Sequence, residues 1–455
     1  MNYKKLAFLV LSIFLMGRLQ AVELTISQPG LYLLSDFIVS NPSGADSIIN
    51  ITSSNVTFDL GGYVISQGNS TAGVDGIVIN SGLTDIVVQN GTIRNLTSRG
   101  IVVNQNCARI NINAINLQSC GTNGIAMLGA AGNTINDCQI SNCRIFSCPA
   151  TIAVGNTALT LTSCTRLTVN DCTIYGLAIS SGLNPIIFVS MSSCTQCLIA
   201  NVLIQGNSYT PSLTIIFTMF AESGGTGNIF KNCVARFNTF TGANFVGFSL
   251  LSGTTRDSFE QCQLIGNRTT GTGSFTGFTL AGITRTIFNQ PVIMGNVSVG
   301  ATCFTLSAGA TLNTLNDAII ASNNASGAFI GISLNNASSN TFRRCISSNN
   351  RSTGNTCSGL SFVTAASNTC LVTDCLLSNN KGINDANSFG ANIVTGANNL
   401  FSRNIGFNNN AAANNSAQFG GAVGFPGGSV TMPTVISTQN INGVTLYWTN
   451  LSVAT

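Results

Sequence analysis

Two sets of apolar residues recur along this chain in step, and that coincidence restricts it to a stacked-repeat fold. The first runs through Phe58, Val88, Ile112, Ile135, Val169, Ile199, Phe230, Phe259, Phe288, Leu315, Phe342, Val372 and Phe401. The second runs through Ile77, Ile101, Ile125, Leu159, Phe188, Phe217, Phe248, Phe278, Phe304, Ile332, Phe362 and Ile393. Twelve steps carry the first set from Phe58 to Phe401, about 29 residues each, which is a solenoid period. Within a repeat the apolar period is two, as in Phe248-Ser-Leu250 and Phe278-Thr-Leu280, and that alternation means strands. Gly and Asn-Asn clusters between the apolar runs mark turns. A helical repeat would show a period of 3.6, and a leucine-rich repeat would show regularly spaced Leu with a framed Asn. Neither is present, so the expectation is an all-β chain with three short strands per coil.

A local motif accompanies the ladders: apolar-x-apolar, two mostly polar residues, a small residue, then x-apolar. Copies include Thr134-Ile-Asn-Asp-Cys-Gln-Ile140, Thr168-Val-Asn-Asp-Cys-Thr-Ile174 and Ser258-Phe-Glu-Gln-Cys-Gln-Leu264. The small slot holds Cys138, Cys172, Val202, Cys233, Cys262, Pro291, Ala318, Cys345, Cys375 and Asn404. Such occupants suit a tight inward position, where thiols pack as small hydrophobes. Cys138 and Cys172, one coil apart on this alignment, are also within reach of a disulfide. The residue before the small slot forms a surface column: Asp137, Asp171, Asn201, Asn232, Gln261, Gln290, Asp317, Arg344, Asp374 and Arg403. Its amides suggest side-chain ladders and its last four members alternate in charge, as cross-strand ion pairs do. The longest step, Ile135 to Val169, points to a loop around Cys143 to Asn156, where Cys143 and Cys148 are spaced to close a small disulfide ring.

Composition narrows the function. Charged residues make up 7% of the chain, with 18 Lys plus Arg against 14 Asp plus Glu. Nucleic-acid binding needs clustered positive charge, so that partner is excluded. The start reads as a signal peptide over residues 1–21: Lys4 and Lys5, an apolar stretch from Leu6 to Gly17, and Ala21 at the cut. The stretch is too short to anchor in a bilayer, and no later run is long enough, so no transmembrane segment remains after cleavage. The expected location is secreted, periplasmic or cell surface. Histidine is absent and Cys194-Thr-Gln-Cys197 is an isolated CxxC, so neither a metal nor another cofactor is expected.

With these ladders, residues 45 to 410 resemble the right-handed parallel β-helix proteins of the pectin-lyase-like superfamily. The resemblance implies about 12–13 right-handed coils. The boundaries expected are a cap over 22–57, the helix over 58–410, and a Gly-rich hinge and tail over 411–455. Many members of that superfamily act on acidic polysaccharides through clustered Asp, often with calcium. Without His there is no Gly-His-Gly element, and no triple-Asp set appears. The best carboxylate pair is Asp137 with Asp171, which on this alignment stack on successive coils, as an acid/base pair or a weak cation site. Their simpler role is to favour a tight turn. Glu222, Asp257 and Glu260 are the second set. The functional expectation is an exported, non-catalytic protein that recognises a polysaccharide or cell-surface glycan. The alternatives are a lyase or glycoside hydrolase acting on a polyuronide, with calcium only in the lyase case, and a structural envelope spacer.

Overall fold

The computed structural model describes residues 10–12, 24–41, 46–146, 157–176, 178–179, 186–209, 216–363, 367, 369–383, 388–393, 400–402, 404–407, 409, 419–420, 423–425, 428–430, 437–441 and 444–448. Most of the expected signal peptide, the Cys148 loop and Arg403 therefore lie outside the described residues. Among those described, all regular structure is strand, and the chain is a parallel β-solenoid of about 12 turns. It divides into two compact units, Met1–Ser208 and Tyr209–Thr455.

In the first unit the pairing is parallel from coil to coil. Gly30–Leu33 pairs with Val56–Asp59, and Ile38–Ser40 with Val64–Gln67. Within the stretch 22–57 expected as a cap, the described strands Gly30–Leu33 and Ile38–Ser40 thus pair in the same parallel manner as the coils after them. The first ladder runs Phe58, Val88, Ile112, Ile140, Val169, Ile199. Ile140, not Ile135, is the residue that stacks between Ile112 and Val169. Ile135 instead lies opposite Cys164 in a neighbouring short pairing. The second ladder runs Ile77, Ile101, Ile125, Leu159 and then Val189, which replaces Phe188.

In the second unit the ladders become aromatic columns. Phe230 stacks on Phe259 at 4.5 Å between ring centroids, and Phe259 on Phe288 at 4.9 Å. Phe220, Phe248, Phe278 and Phe304 form a second column at 4.5–4.6 Å. The columns meet edge to face, Phe259 against Phe278 at 6.2 Å and 89°, the geometry that ring quadrupoles favour. This column begins at Phe220, because Phe217 pairs in register with Phe245 and its ring stacks on Phe240. It continues to Ile332, Leu360 and Ala391, displacing the expected Phe362 and Ile393. Each buried ring contributes roughly 1.5–3 kcal/mol. Close stacking also explains Gly277: a Cβ there would collide with the Cys303 carbonyl oxygen and lie 2.7 Å from Ile293 Cδ1.

Single residues in the left-handed region turn the chain at its corners. Asp137, Asp171, Asn201, Asn232, Gln261, Gln290, Asp317, Arg344 and Asp374 all have φ between 51° and 56°. The conformation costs an L-residue roughly 1–2 kcal/mol, least for Asn and Asp. It projects these side chains outward and turns the next residue in. The small slot is accordingly buried throughout, from Cys138 to Asn404. Fifteen cysteines are described, all buried, and no disulfide joins two of them.

A second internal device was not anticipated. Asn238, Asn267, Asn296, Asn323, Asn350, Asn380 and Asn409 form a buried ladder. Asn296 Oδ1 accepts from the Asn267 backbone N–H at 2.9 Å and from its Nδ2 at 3.1 Å. Asn296 Nδ2 in turn donates to Asn323 Oδ1 and to the Leu264 carbonyl, both at 3.0 Å. Every polar atom of that amide is satisfied, as burial requires. Beyond residue 411, Phe419–Gly420 adds one more parallel strand on Ala391–Asn392. Two antiparallel hairpins follow, Val423–Phe425 with Gly428–Val430 and Ser437–Ile441 with Val444–Trp448.

Candidate functional site

The second unit carries a surface groove of about 560 Å³, within the size range of ligand sites. It follows the corner between two strands of each coil. One side is the corner column Asn232, Gln261, Gln290, Asp317 and Arg344. The other side is the column two residues further on: Gln263, Val292, Ile319 and Ile346. The alternation explains the arrangement. The small residue between the columns, Cys262 or Pro291 for example, points inward, so its neighbours on both sides point out.

Backbone bonds keep the columns in step. The Gln261 N–H donates to the Asn289 carbonyl and that of Gln290 to the Asn316 carbonyl, both at 2.9 Å. Rungs therefore repeat at the strand spacing, about 4.8 Å. Gln261 Nε2 donates to Gln290 Oε1 at 3.0 Å, an amide rung of the kind the sequence suggested. At one end Arg344 grips Asp317 with two bonds, Nε to Oδ1 at 2.6 Å and Nη2 to Oδ2 at 2.9 Å. The Arg344 guanidinium holds the Asp317 carboxyl below the usual carboxylate range. The groove's charges thus cancel within it, and amides and aliphatic side chains line the rest.

No family model matches the sequence, and no curated protein matches it. Among solved structures the chain is similar to the A-module of mannuronan C-5 epimerase AlgE6 from Azotobacter vinelandii, with 10% identity, 83% of this chain and 85% of that one covered, and a TM-score of 0.35. It is also similar to a tailspike protein of E. coli bacteriophage HK620 in complex with a pentasaccharide (11% identity, 89% and 71% covered, TM-score 0.38). A third is PfbA, a surface adhesin of Streptococcus pneumoniae (10% identity, 93% and 90% covered, TM-score 0.23). What the groove can hold follows from its own side chains.

The residues singled out in the sequence are placed differently from the expectation. Asp137 and Asp171 do not stack. Asp137 lies between Arg109 and Arg166 in another corner column, where Arg166 donates Nε and Nη2 to its two oxygens at 2.6 and 2.8 Å. Asp171 accepts from Asn170 Nδ2 at 2.7 Å and Asn201 Nδ2 at 3.1 Å. Both carboxylates hold corners, and the pairing proposed for them rested on a register the backbone does not adopt. In the second set, Glu222 and Asp257 do come together through Asn228. Asn228 Nδ2 donates to Glu222 Oε1, and the Asn228 backbone N–H to Asp257 Oδ1, each at 2.6 Å. Both carboxyls are nevertheless buried, at 2% and 1% exposure, so a polymer cannot reach them. Burial pushes Asp257 up to about 7. Glu260 is outside, 3.9 Å from Lys231 Nζ. Among the described residues no three His, Cys, Asp or Glu side chains are grouped to hold a metal ion, and no helix is long and apolar enough to cross a membrane.

Reading the sequence missed Gln263, Val292, Ile319 and Ile346 as groove residues. Their signal was available: each stands two residues after a corner residue in the repeat.

Proposed function

We propose that this protein is exported and binds an extended glycan along the groove without chemically altering it. The observation that carries this reading is the pair of outward columns, rich in amide and aliphatic side chains, held in register over four coils. A polysaccharide offers hydroxyls at every unit and C–H faces between them. Amides supply donors and acceptors to the hydroxyls, while Val292, Ile319 and Ile346 cover the C–H faces, the mix of apolar lining and placed polar groups that ligand sites use. The internally paired charges at Asp317 and Arg344 leave little net field to hold a polyanion. The signal-peptide pattern expected over residues 1–21 supports delivery to a secreted, periplasmic or cell-surface location.

The test is a glycan array with the mature protein, followed by product analysis on any hit. Retention without product supports the reading, and the double variant Gln261→Ala/Gln290→Ala should lose that retention. Release of reducing ends or unsaturated sugars overturns it in favour of a polyuronide lyase or hydrolase. No binding to any glycan overturns it in favour of a structural spacer.

A further inference from the structure

Small inward slots place several cysteines directly over one another. Thr162 pairs with Ser192 and Thr165 with Thr195, so Cys164 stands over Cys194. Ser141 pairs with Asn170 and Arg144 with Thr173, so Cys143 stands over Cys172. Lys231 pairs with Glu260 and Val234 with Gln263, so Cys233 stands over Cys262. Arg343 pairs with Thr373 and Ile346 with Leu376, so Cys345 stands over Cys375. Backbone bonds fix the spacing beside each pair: the Thr173, Thr195, Gln263 and Leu376 N–H groups donate to the Cys143, Cys164, Cys233 and Cys345 carbonyls at 2.8–2.9 Å. Strands paired this way lie about 4.8 Å apart, inside the roughly 4.4–6.8 Å Cα separation that a disulfide spans.

The column dictates the partner. Cys143 and Cys172 are bounded by Ile115 and Val202. Cys262 is followed by Pro291. Cys345 and Cys375 are bounded by Ala318 and Asn404. Cys138, by contrast, lies between Ile110 and Leu167, so the Cys138–Cys172 bridge considered from the sequence is replaced by Cys143–Cys172. The stacked thiols also interact. The hydrogen bond from Cys172 lowers the Cys143 pKa, and the same bond, followed by burial, raises that of Cys172. Cys375 and Cys345 repeat this pattern.

We infer that Cys143–Cys172, Cys164–Cys194, Cys233–Cys262 and Cys345–Cys375 are oxidation sites, each closing a disulfide that staples two adjacent coils while the chain folds in an oxidising compartment. Each staple forms one S–S bond and breaks two S–H bonds. The two electrons and the two protons pass to a small disulfide oxidant, which leaves as two thiols after a mixed disulfide on one cysteine of the pair. The reaction belongs to the folding chain, because the finished core buries every one of these sulfurs.

The full chain, reduced and unfolded, would be refolded in a buffer of oxidised and reduced glutathione, so that the outcome depends neither on export nor on glycan binding. The folded fraction would be acid-quenched, denatured, alkylated with N-ethylmaleimide and mapped by mass spectrometry without reduction. The expected result is four cross-links joining those pairs, with eight of the 16 cysteines escaping the label. Cys172→Ala and Cys375→Ala should each remove one cross-link and leave Cys143 or Cys345 labelled. If either variant fails to fold, the wild-type map decides alone. Full labelling of the folded wild-type chain, or cross-links to other cysteines, overturns the inference.

Discussion

Replacing Asp257 with Asn should stabilise this protein at neutral pH and remove much of its pH dependence. Asp257 occupies a column in which Asn228 precedes it and Thr286, Asn313 and Asn340 follow. At Asn313 the amide works fully: its Nδ2 donates to Asn340 Oδ1 at 3.1 Å and to the Ile283 carbonyl at 3.2 Å. Asp257 accepts the Asn228 N–H through Oδ1, but its Oδ2 is buried without a hydrogen-bond partner. Burial raises its pKa from 3.8 to about 7. The folded state therefore holds a proton that the unfolded chain has released. Stability is at its full value below the unfolded pKa and declines as pH climbs from about 4 through 7. A shift of about three units corresponds to a loss of about 4 kcal/mol once the carboxyl is ionised in both states. Asp257→Asn keeps the acceptor for Asn228, adds a donor where Oδ2 now lies, and cannot ionise. Denaturant unfolding followed by circular dichroism at pH 4.5, 6 and 8 measures the effect. The variant should exceed the wild type by an amount that grows with pH. Equal midpoints at pH 8, or a variant that is weaker there, would refute the burial argument.

Four further outcomes follow from the same geometry. Phe259→Ala removes a ring stacked on both sides and should cost about 3–5 kcal/mol in the same unfolding assay. Asn296→Ala leaves the Asn267 N–H and Nδ2 without their acceptor, about 1–3 kcal/mol for each orphaned donor, with amide hydrogen exchange quickening first around Asn267. Ile319→Asp, on the exposed wall of the groove, should leave the unfolding midpoint nearly unchanged while weakening glycan retention at least tenfold. Arg344→Ala frees Asp317, whose carboxyl should then titrate in the ordinary range by NMR, with little change in the unfolding midpoint because both partners face solvent.

The solenoid was legible because Phe cannot be hidden in a repeat. Phe230, Phe259 and Phe288 announce their column without structural help. Register was harder where two copies of one pattern overlap. Thr134-Ile-Asn-Asp-Cys and Gln139-Ile-Ser-Asn-Cys stand five residues apart with nearly the same chemistry. Only backbone pairing selects the second, and with it separates Asp137 from Asp171. Phe217 and Phe220 posed the same problem within one strand, since both are buried but belong to different columns. The Asn ladder was visible in principle, because Asn267, Asn296 and Asn323 keep step with Phe259, Phe288 and Leu315. An Asn between turns reads as solvent-facing until its burial is known. The groove left the weakest trace, since a concavity arises from the angle between strands and has no residue type of its own.

The corner column has a use beyond the glycan proposed for it. Its backbone shape is the same whether the occupant is Asn232, Gln290, Asp317 or Arg344, and no core atom depends on what the side chain carries. The surface text can thus be rewritten rung by rung, with polarity, sign or hydrogen-bonding sense chosen at will, while the aromatic interior goes unaltered. Such a chain can change what it recognises by single substitutions, each displaced from the last by one strand width.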